Sequence, residues 1–171
     1  TKTTVSVSAK DAAGNLSSTV TSNVVVDTMI DPPTVRLARD TGANAADRIT
    51  RDAAIQVGTT ESSNYQLAYQ VDNGAWTNGY TAPSNDGVHT VSVRLTDRAG
   101  NSSVSSTSFT LDTSTPAPKV QLSSDTGSSA SDRITANPAI TVLATESNAT
   151  LQYQVDGGAW SNTYSAPNRD G

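Results

Sequence analysis

The chain has no cysteine and few large apolar side chains. Its 171 residues include one His, one Phe, one Met and two Trp, and aromatic residues make up only 5%. The absence of Cys excludes stabilisation by disulfide bonds. A hydrophobic content of 35% excludes one large core, but it allows domains of about 85 residues that each bury a modest apolar layer.

Positive charge is also scarce. The chain carries 11 Lys and Arg against 16 Asp and Glu, a formal net charge of -5, with no cluster of basic residues. We therefore expect neither nucleic acid nor an anionic membrane as a partner. No apolar run approaches the roughly 20 residues that span a bilayer, and the first residues do not resemble a signal peptide, so no membrane insertion by this segment is expected.

An internal repeat with a period of about 85 residues organises the chain. The recurring motifs are Asp40-Thr-Gly42 with Asp125-Thr-Gly127, Asp47-Arg-Ile-Thr50 with Asp132-Arg-Ile-Thr135, Tyr69-Gln-Val-Asp72 with Tyr153-Gln-Val-Asp156, and Asp11-Ala-Ala-Gly-Asn15 with Asp97-Arg-Ala-Gly-Asn101. The positions of these motifs predict three segments. Residues 1–27 are the C-terminal strands of a partial repeat, residues 28–112 are a complete repeat, and residues 113–171 are the N-terminal strands of another partial repeat.

Within each copy, apolar residues alternate with polar ones, which predicts half-buried strands and no helix. In the complete copy, the predicted strands contain Val35 and Leu37, then Ile55 and Val57, then Leu67 to Val71, then Val91 to Leu95, and finally Phe109 and Leu111. The partial copies have the same phase at Val5 and Val7, Val24 and Val26, Val120 and Leu122, Ile140 and Val142, and Leu151 to Val155.

Turn residues agree with this reading. Asn73-Gly74 and Gly157-Gly158 lie between apolar runs, which predicts tight hairpins. Pro32-Pro33, and Pro116 with Pro118, precede the first strand of a copy and are typical of linkers. About seven short strands in 85 residues predict an all-β fold of tandem two-sheet Greek-key sandwiches.

These motifs resemble a known family. The Asp97–Asn101 turn, the Phe109–Pro116 junction and the Tyr153–Trp160 hairpin, in this order and spacing, are similar to the bacterial Ig-like extender repeats of giant type I-secreted RTX adhesins. The resemblance covers the whole chain. It implies an extracellular rod at the bacterial cell surface, stiffened by calcium, that projects a distal ligand-binding region for cell adhesion or biofilm formation. Asp31-Pro32-Pro33 departs from Pro116-Ala117-Pro118 of the other copy.

The acidic residues favour a calcium site at each junction between repeats. Of 16 acidic residues, 14 are Asp, and the two Glu, Glu61 and Glu146, are equivalent. The longer side chain of Glu at one position per copy fits a bidentate Ca²⁺ ligand, whereas a Zn²⁺ site would require His or Cys. The loops after the second and sixth strands share a pole with the incoming linker. The predicted ligands are Asp11, Asn15, Asp27, Glu61, Asp97, Asn101, Asp112 and Glu146. The alternative is that these Asp and Asn residues only form turns.

A second candidate calcium site lies in the loop between the first two strands. Asp40 and Asp47 begin and end this loop in the complete copy, and Asp125 and Asp132 do so in the next. Asp-Thr-Gly is equally a turn signature, and Asp47 could cap its own loop, so metal binding and turn formation are both open here. For Asp72 and Asp156, which begin the hairpin turns, the structural interpretation is favoured.

The sequence gives little support for an enzyme. His89 is the only His and has Thr3 as its counterpart, so no His-based triad can be drawn. A glycosidase pair of Asp97 and Glu61 would lie at a linker without a cleft. A carbohydrate-binding module that uses Trp76 and Tyr80 is the alternative function. A Trp in every copy, however, fits better with a side chain that closes the core or packs at the edge of the sandwich.

We therefore expect a structural spacer whose partners are neighbouring repeats of the same protein. The two partial repeats also suggest head-to-tail self-association, in which residues 1–27 of one molecule complete residues 113–171 of the next. This contact would join Asp112 and Glu146 of one chain to Asp11 and Asn15 of another.

Overall fold

A computed structural model describes residues 2–61, 63–143, 146 and 149–168. The chain divides into two compact units, and the boundary in the sequence falls between Thr113 and Ser114. The described residues form strands, turns and loops, and none of them forms a helix that could cross a membrane.

The first unit contains eight strands among its described residues. They are β1 (Lys2–Val7), β2 (Val20–Val25), β3 (Thr34–Leu37), β4 (Ile49–Thr50), β5 (Ile55–Gly58), β6 (Gln66–Val71), β7 (Gly87–Thr96) and β8 (Ser102–Leu111). Strands β1 and β2 form an antiparallel pair by themselves, and all of their residues are exposed.

Strands β3 to β8 form a two-sheet sandwich. One sheet is the antiparallel pair β3-β5, and the other has the order β4-β8-β7-β6. Strands β7 and β8 are each ten residues long and pair along their whole length. Their inward side chains are almost completely buried, namely Val91, Val93, Leu95, Phe109 and Leu111. Partly buried side chains of β3, β5 and β6 pack against this core, and the prediction of an all-β sandwich is confirmed.

The second unit has two strands among its described residues, β9 (Lys119–Leu122) and β10 (Ile140–Leu143), which pair antiparallel. They are the counterparts of β3 and β5, and the registers correspond: Lys119 pairs with Leu143 as Thr34 pairs with Gly58. One sheet of the sandwich is therefore present in this unit.

One predicted strand is wrong. Residues 151–155 repeat the sequence of β6 closely, but they contain only an isolated bridge between Tyr153 and Ser161. In the first unit, β6 pairs with residues Val91–Thr96 of β7. The second unit has no counterpart of β7 among its described residues, so the same side chains lack the ladder that makes β6 a strand.

One strand was missed. Strand β4 is only two residues long, and it pairs in parallel with Thr110 and Leu111 at the end of β8. Such a short segment has no detectable alternation, and its partner lies about sixty residues away, so local patterns do not reveal it.

The hairpin after β6 is shifted by one residue from the predicted turn. The residues with positive φ are Asp72 (49°) and Asn73 (61°), while Gly74 donates its N–H to the Val71 carbonyl at 2.8 Å. Two central residues with positive φ are typical of a type I′ turn, which fits the twist of the flanking strands. Asp156 and Gly157 form the same turn in the second unit.

We expect Val93→Ala to lower the free energy of unfolding by about 2–3 kcal/mol, because the removed methyl groups are fully buried between the sheets. Urea denaturation followed by circular dichroism measures this change. The matched control is Val104→Ala on β8, since Val104 is exposed and its truncation should change stability by less than about 0.5 kcal/mol. Equal losses in both variants would contradict the assigned core.

Candidate functional site

The predicted ligands all lie in turns or at strand ends. Asp11 and Asn15 follow β1, Asp27 follows β2, Glu61 follows β5, Asp97 and Asn101 lie between β7 and β8, and Asp112 follows β8. Asp40 and Asp47 lie between β3 and β4, Asp125 and Asp132 between β9 and β10, and Glu146 after β10.

The turn between β7 and β8 holds an aspartate and an asparagine in direct contact. Asp97 Oδ1 accepts the Asn101 backbone N–H at 2.8 Å, and Asp97 Oδ2 accepts Asn101 Nδ2 at 2.8 Å. Asp11 and Asn15 make the same two bonds, also at 2.8 Å each. The repeated sequence therefore builds the same carboxylate geometry twice.

Both carboxylates in these turns are held in the charged form. The side-chain hydrogen bond from Asn101 lowers the pKa of Asp97, and Asn15 lowers the pKa of Asp11 in the same way, assisted by backbone N–H groups. Burial opposes these shifts but does not cancel them. Both groups therefore remain anionic under all but strongly acidic conditions.

This turn also contacts the linker that enters the complete repeat. Asn101 Nδ2 donates to the backbone carbonyl of Asp27 at 3.2 Å. Close by in sequence, Thr60 Oγ1 donates to Asp31 Oδ2 at 3.1 Å, which ties the loop after β5 to the same linker. The end of one repeat is therefore hydrogen-bonded to the β7–β8 turn of the next, and the loop after β5 is hydrogen-bonded to the linker within that repeat.

The glutamates are partly buried. The Glu61 backbone N–H donates to the Thr59 hydroxyl oxygen at 3.0 Å. In the second unit, Glu146 Oε2 accepts a hydrogen bond from the Thr115 hydroxyl at 2.9 Å. Within the described parts of the chain, no three Asp, Glu or His side chains come together as a group that could hold a metal ion. Any ion near Asp97 would therefore need carbonyl, amide or water oxygens in addition to carboxylates.

The loop between β3 and β4 is closed by its own side chains. Asp40 Oδ2 accepts the Arg48 N–H at 2.9 Å, and Asp47 Oδ1 accepts the Ile49 N–H at 3.0 Å. Arg48 has a φ of 61°, which is unfavourable for a residue with a Cβ. Asp47 thus has the capping role that was the alternative to metal binding. Asp125 and Asp132 repeat both contacts in the second unit.

One oxygen in this loop is buried without a partner. Asp40 Oδ1 and its counterpart Asp125 Oδ1 are both inaccessible to solvent and accept no hydrogen bond from protein atoms. An unsatisfied buried carboxylate oxygen costs free energy, and natural structures rarely keep one without an ion or water. The unpartnered oxygen occurs in both copies of the loop, so it results from the conformation of the loop.

Of the two aromatic side chains that follow the hairpin turn, Tyr80 packs against the core, whereas Trp76 is half-buried and lies outside it. The Arg94 guanidinium lies 4.7 Å from the centre of the Trp76 ring and covers one face of it. Tyr80 packs against the core, and its hydroxyl donates to the Ala53 carbonyl at 2.6 Å. Burial is the main cause that raises the pKa of Tyr80 to about 12.

An ion pair between β7 and the hairpin turn was not predicted from the sequence. His89 is buried, with Nδ1 2.6 Å from Asp72 Oδ2 and Nε2 2.8 Å from the Asn85 carbonyl oxygen. Both neighbours are acceptors, so only the doubly protonated ring satisfies both contacts. These contacts raise the pKa of His89, and the hydrogen bond from His89 is the main cause that lowers the pKa of Asp72.

This pair predicts a dependence of stability on pH. The raised pKa of His89 stabilises the fold below the normal histidine pKa, and this contribution is lost as the pH rises through the folded-state value. The lowered pKa of Asp72 contributes above the normal aspartate pKa and is lost in acid. We expect the contribution to be largest between about pH 4 and 6.5 and to fall by about 1 kcal/mol near pH 9.

Urea denaturation of the parent and of His89→Gln at several pH values measures this effect. The variant should lose the decrease in stability between about pH 6 and 9, because glutamine does not titrate there. Tyr80→Phe is the control that alters a nearby buried hydrogen bond while keeping the histidine, and it should retain the pH dependence. An identical pH profile in the parent and His89→Gln would exclude the pair as its source.

Comparison with known families agrees with this architecture. Residues 29–113 match the family described as the bacterial Ig-like domain. No curated protein matches the chain. Domains of this family are typically non-enzymatic and commonly occur in surface proteins. The segment from 29 to 113, which contains the β3–β8 sandwich, is therefore a bacterial Ig-like domain.

Proposed function

We propose that the chain is a structural spacer segment of a bacterial cell-surface adhesin, of the extender type found in RTX adhesins, with junctions between repeats that are stiffened by calcium. Its role is to hold a distal ligand-binding region away from the cell for adhesion or biofilm formation. The proposed location is extracellular, and no catalysis is proposed.

The contact between Asn101 and the Asp27 carbonyl carries this proposal. Asp27 closes one repeat, and Asn101 belongs to the acidic turn of the next, so the two repeats meet through polar groups at the linker. Asp97 Oδ2 and the Asp27 carbonyl oxygen both approach the same amide nitrogen, at 2.8 and 3.2 Å. These two oxygens could supply two of the six to eight ligands that a Ca²⁺ ion takes.

Calcium fits this junction chemically. Rotation of the Asn101 amide would turn Oδ1 toward the same point and replace a donor by an acceptor. Asp97 is already anionic, and Glu61 and Asp27 supply further carboxylates in neighbouring loops. A divalent cation would reduce the repulsion between them and cross-link the linker to the loops.

The unpartnered oxygen of Asp40 supports a second ion in each repeat. Asp40 also lines a small open pocket of about 250 Å³ beside Ala45 and Arg48. A cation there would satisfy Oδ1 while Oδ2 keeps its bond to the Arg48 N–H. Asp47 would then hold the loop in place without contacting the ion.

The contacts of His89 support a structural role and argue against catalysis. A catalytic His needs one ring nitrogen directed at a nucleophile or substrate. Here the nitrogen opposite Asp72 is bound to a backbone carbonyl.

The carbohydrate-binding alternative has less support. A stacking platform needs a free aromatic face, but Arg94 covers one face of the half-buried Trp76, and the Tyr80 hydroxyl is bound inside the domain. A glycan array that shows binding abolished by Trp76→Ala would favour this function over a spacer.

We expect calcium to raise the melting temperature and to lengthen the particle in small-angle scattering. An affinity of about 10⁻⁴–10⁻³ M is typical of extracellular calcium modules. At a hundredfold excess over Kd, binding adds about 2.7 kcal/mol, which corresponds to a shift on the order of 10 °C. Magnesium at the same concentration should have a smaller effect, and a chelator should reverse both changes.

Ligand variants test the assignment of residues. Glu61→Gln and Asp97→Asn remove charge with little change in shape, so each should weaken calcium binding by about tenfold or more while hardly altering the calcium-free fold. Asp156→Asn is the control, because this exposed carboxylate lies in a hairpin turn outside the proposed sites. Unchanged calcium responses in both ligand variants would leave turn formation as the role of these residues.

A further inference from the structure

Strand β4 connects the loop after β3 to the last strand of the complete repeat. It pairs in parallel with the end of β8, where the Thr110 N–H binds the Arg48 carbonyl at 2.8 Å and the Asp112 N–H binds the Thr50 carbonyl at 2.9 Å. Thr50 is only 1% exposed although its side chain is polar. A buried hydroxyl needs hydrogen-bond partners, and those of Thr50 lie outside β4.

The Thr50 hydroxyl ties β4 back to the end of β3. It donates to the Arg39 carbonyl at 3.1 Å, and its oxygen lies 3.2 Å from Thr41 Oγ1. Thr41 Oγ1 in turn accepts the Arg51 N–H at 2.8 Å. Residues just after β3 are therefore hydrogen-bonded to residues in and just after β4, across the loop that joins the two strands.

Asp40 adds a third tie across this loop, because its Oδ2 accepts the Arg48 N–H at 2.9 Å. We refer to Asp40, Thr41 and Thr50 as the fastening side chains. Each of them bonds to a backbone group of the residue that it holds. The fastening therefore depends on these three side chains and not on the side chains of the residues they hold.

The second unit has the same arrangement. Asp125, Thr126 and Thr135 make the corresponding bonds to backbone groups, at 3.0, 2.7 and 2.9 Å. Two of the residues that they hold differ in type from their counterparts in the complete repeat, whereas the three fastening positions carry the same residues in both copies. The arrangement thus follows from the sequence of the loop.

The positions of the linkers define how tension passes through the complete repeat. The chain enters at Pro33, just before β3, and leaves after Leu111, at the end of β8. Tension between the linkers therefore pulls β3 by its N-terminal end and β8 by its C-terminal end. Since β4 is parallel to β8, a pull on the N-terminal side of β4 opposes the pull on β8 along the strand axis. The hydrogen bonds between these two strands are then loaded together, in shear.

A loop without the fastening would separate two events. Tension would first act on the β3–β5 pair, and it would reach β4 only after β3 had left β5 and the loop had straightened. With the fastening, the pull passes from the end of β3 through the hydrogen bonds to β4. The β3–β5 and β4–β8 pairs then resist the tension at the same time.

We propose that the fastening side chains make the complete repeat a load-bearing element, in which the β3–β5 and β4–β8 pairs share tension applied along the chain. This role rests on the proposed spacer function, because a spacer between a cell and its point of attachment is pulled from both ends. It requires no calcium ion. Thr50 is a positioning residue in this role, since its buried hydroxyl holds β4 against the end of β3.

Single-molecule force spectroscopy on the full chain tests this role. The chain has no Cys, so Met29→Cys and Ala117→Cys provide specific attachment points in the linkers on either side of the complete repeat. All pulls are made with a chelator present, so that calcium does not contribute to the force. The parent chain with these two attachment points should release the complete repeat in one step.

A triple variant with Asp40→Ala, Thr41→Val and Thr50→Val removes the fastening. It should first release β3 and the loop, residues 34–48, in an earlier step of at most about 50 Å, because an extended chain spans about 3.3–3.6 Å per residue. A general loss of stability would lower the unfolding force without adding a step. The number of steps therefore separates the load-bearing role from a merely structural one.

Two controls accompany this variant. Asp125→Ala, Thr126→Val and Thr135→Val remove the same groups from the second unit, beyond the attachment points, and should leave the single step unchanged. Thr90→Val removes a hydroxyl that contacts Ser108 on the outer face of the β7–β8 pair, between the attachment points but away from the fastened loop. It should change the unfolding rate at constant force by less than about threefold.

Thr50→Val alone keeps the size of the side chain and the other two ties, so it tests the role even where the triple variant fails to show a urea transition. Its unfolding rate at constant force should rise by at least about tenfold, because a buried hydroxyl with several partners is lost and forced unfolding follows the unfolding rate. Its unfolding rate in urea without force should rise less. A merely structural role would raise both rates equally.

An early step in the parent chain would overturn this role, because the loop would then be slack already. A single step at the parent's force in the triple variant would do the same, as would equal rate increases for Thr50→Val with and without force. None of these results bears on calcium binding at the junctions, which melting and scattering measure separately. Failure of the load-bearing role and failure of the calcium-stiffened spacer are therefore distinguishable.

Discussion

The pairing of β7 with β8 is the interaction on which the rest of the sandwich depends. These two strands supply most of the fully buried apolar side chains, and their outer edges pair with β6 and β4. The second unit illustrates this dependence. Among its described residues, the segments that repeat the sequences of β6 and β4 pair with no equivalent of β7 and β8, and they are not strands. Strand formation in this fold is therefore decided by the neighbouring strand more than by local propensity.

The sequence period made much of the architecture predictable. Alternating apolar residues identified β3, β5, β6, β7 and β8, because each buries one face against the other sheet. It did not reveal β4, whose two residues are a strand only through distant parallel pairing. Alternation also predicted a strand around Tyr153, and this prediction was wrong. An alternating pattern shows that a segment could bury one face in a sheet, but it does not show whether a neighbouring strand is there to pair with it.

Some side-chain contacts in the turns and loops could be predicted from the sequence, and others could not. The pairing of Asp97 with Asn101 follows from a five-residue turn and could be anticipated from spacing. The unsatisfied oxygen of Asp40 could not, since it results from how the loop folds over its own carboxylate. The ion pair of His89 with Asp72 was also not predictable, because 17 residues separate the partners and the counterpart of His89 is Thr3. Side-chain contacts that occur in one repeat only leave no periodic signal.

The β1–β2 pair and the β7–β8 pair have corresponding registers, but they differ in the size of their inward side chains. Phe109 and Leu111 correspond to Val24 and Val26, and Leu95 corresponds to Ala9. Tandem repeats of similar sequence are prone to exchange strands between neighbours while they fold. A hairpin with valine in place of phenylalanine leaves a void in a core shaped for the larger ring, and such voids are costly. The difference at these core positions therefore disfavours an exchange in which β1 and β2 would replace β7 and β8 in the sandwich.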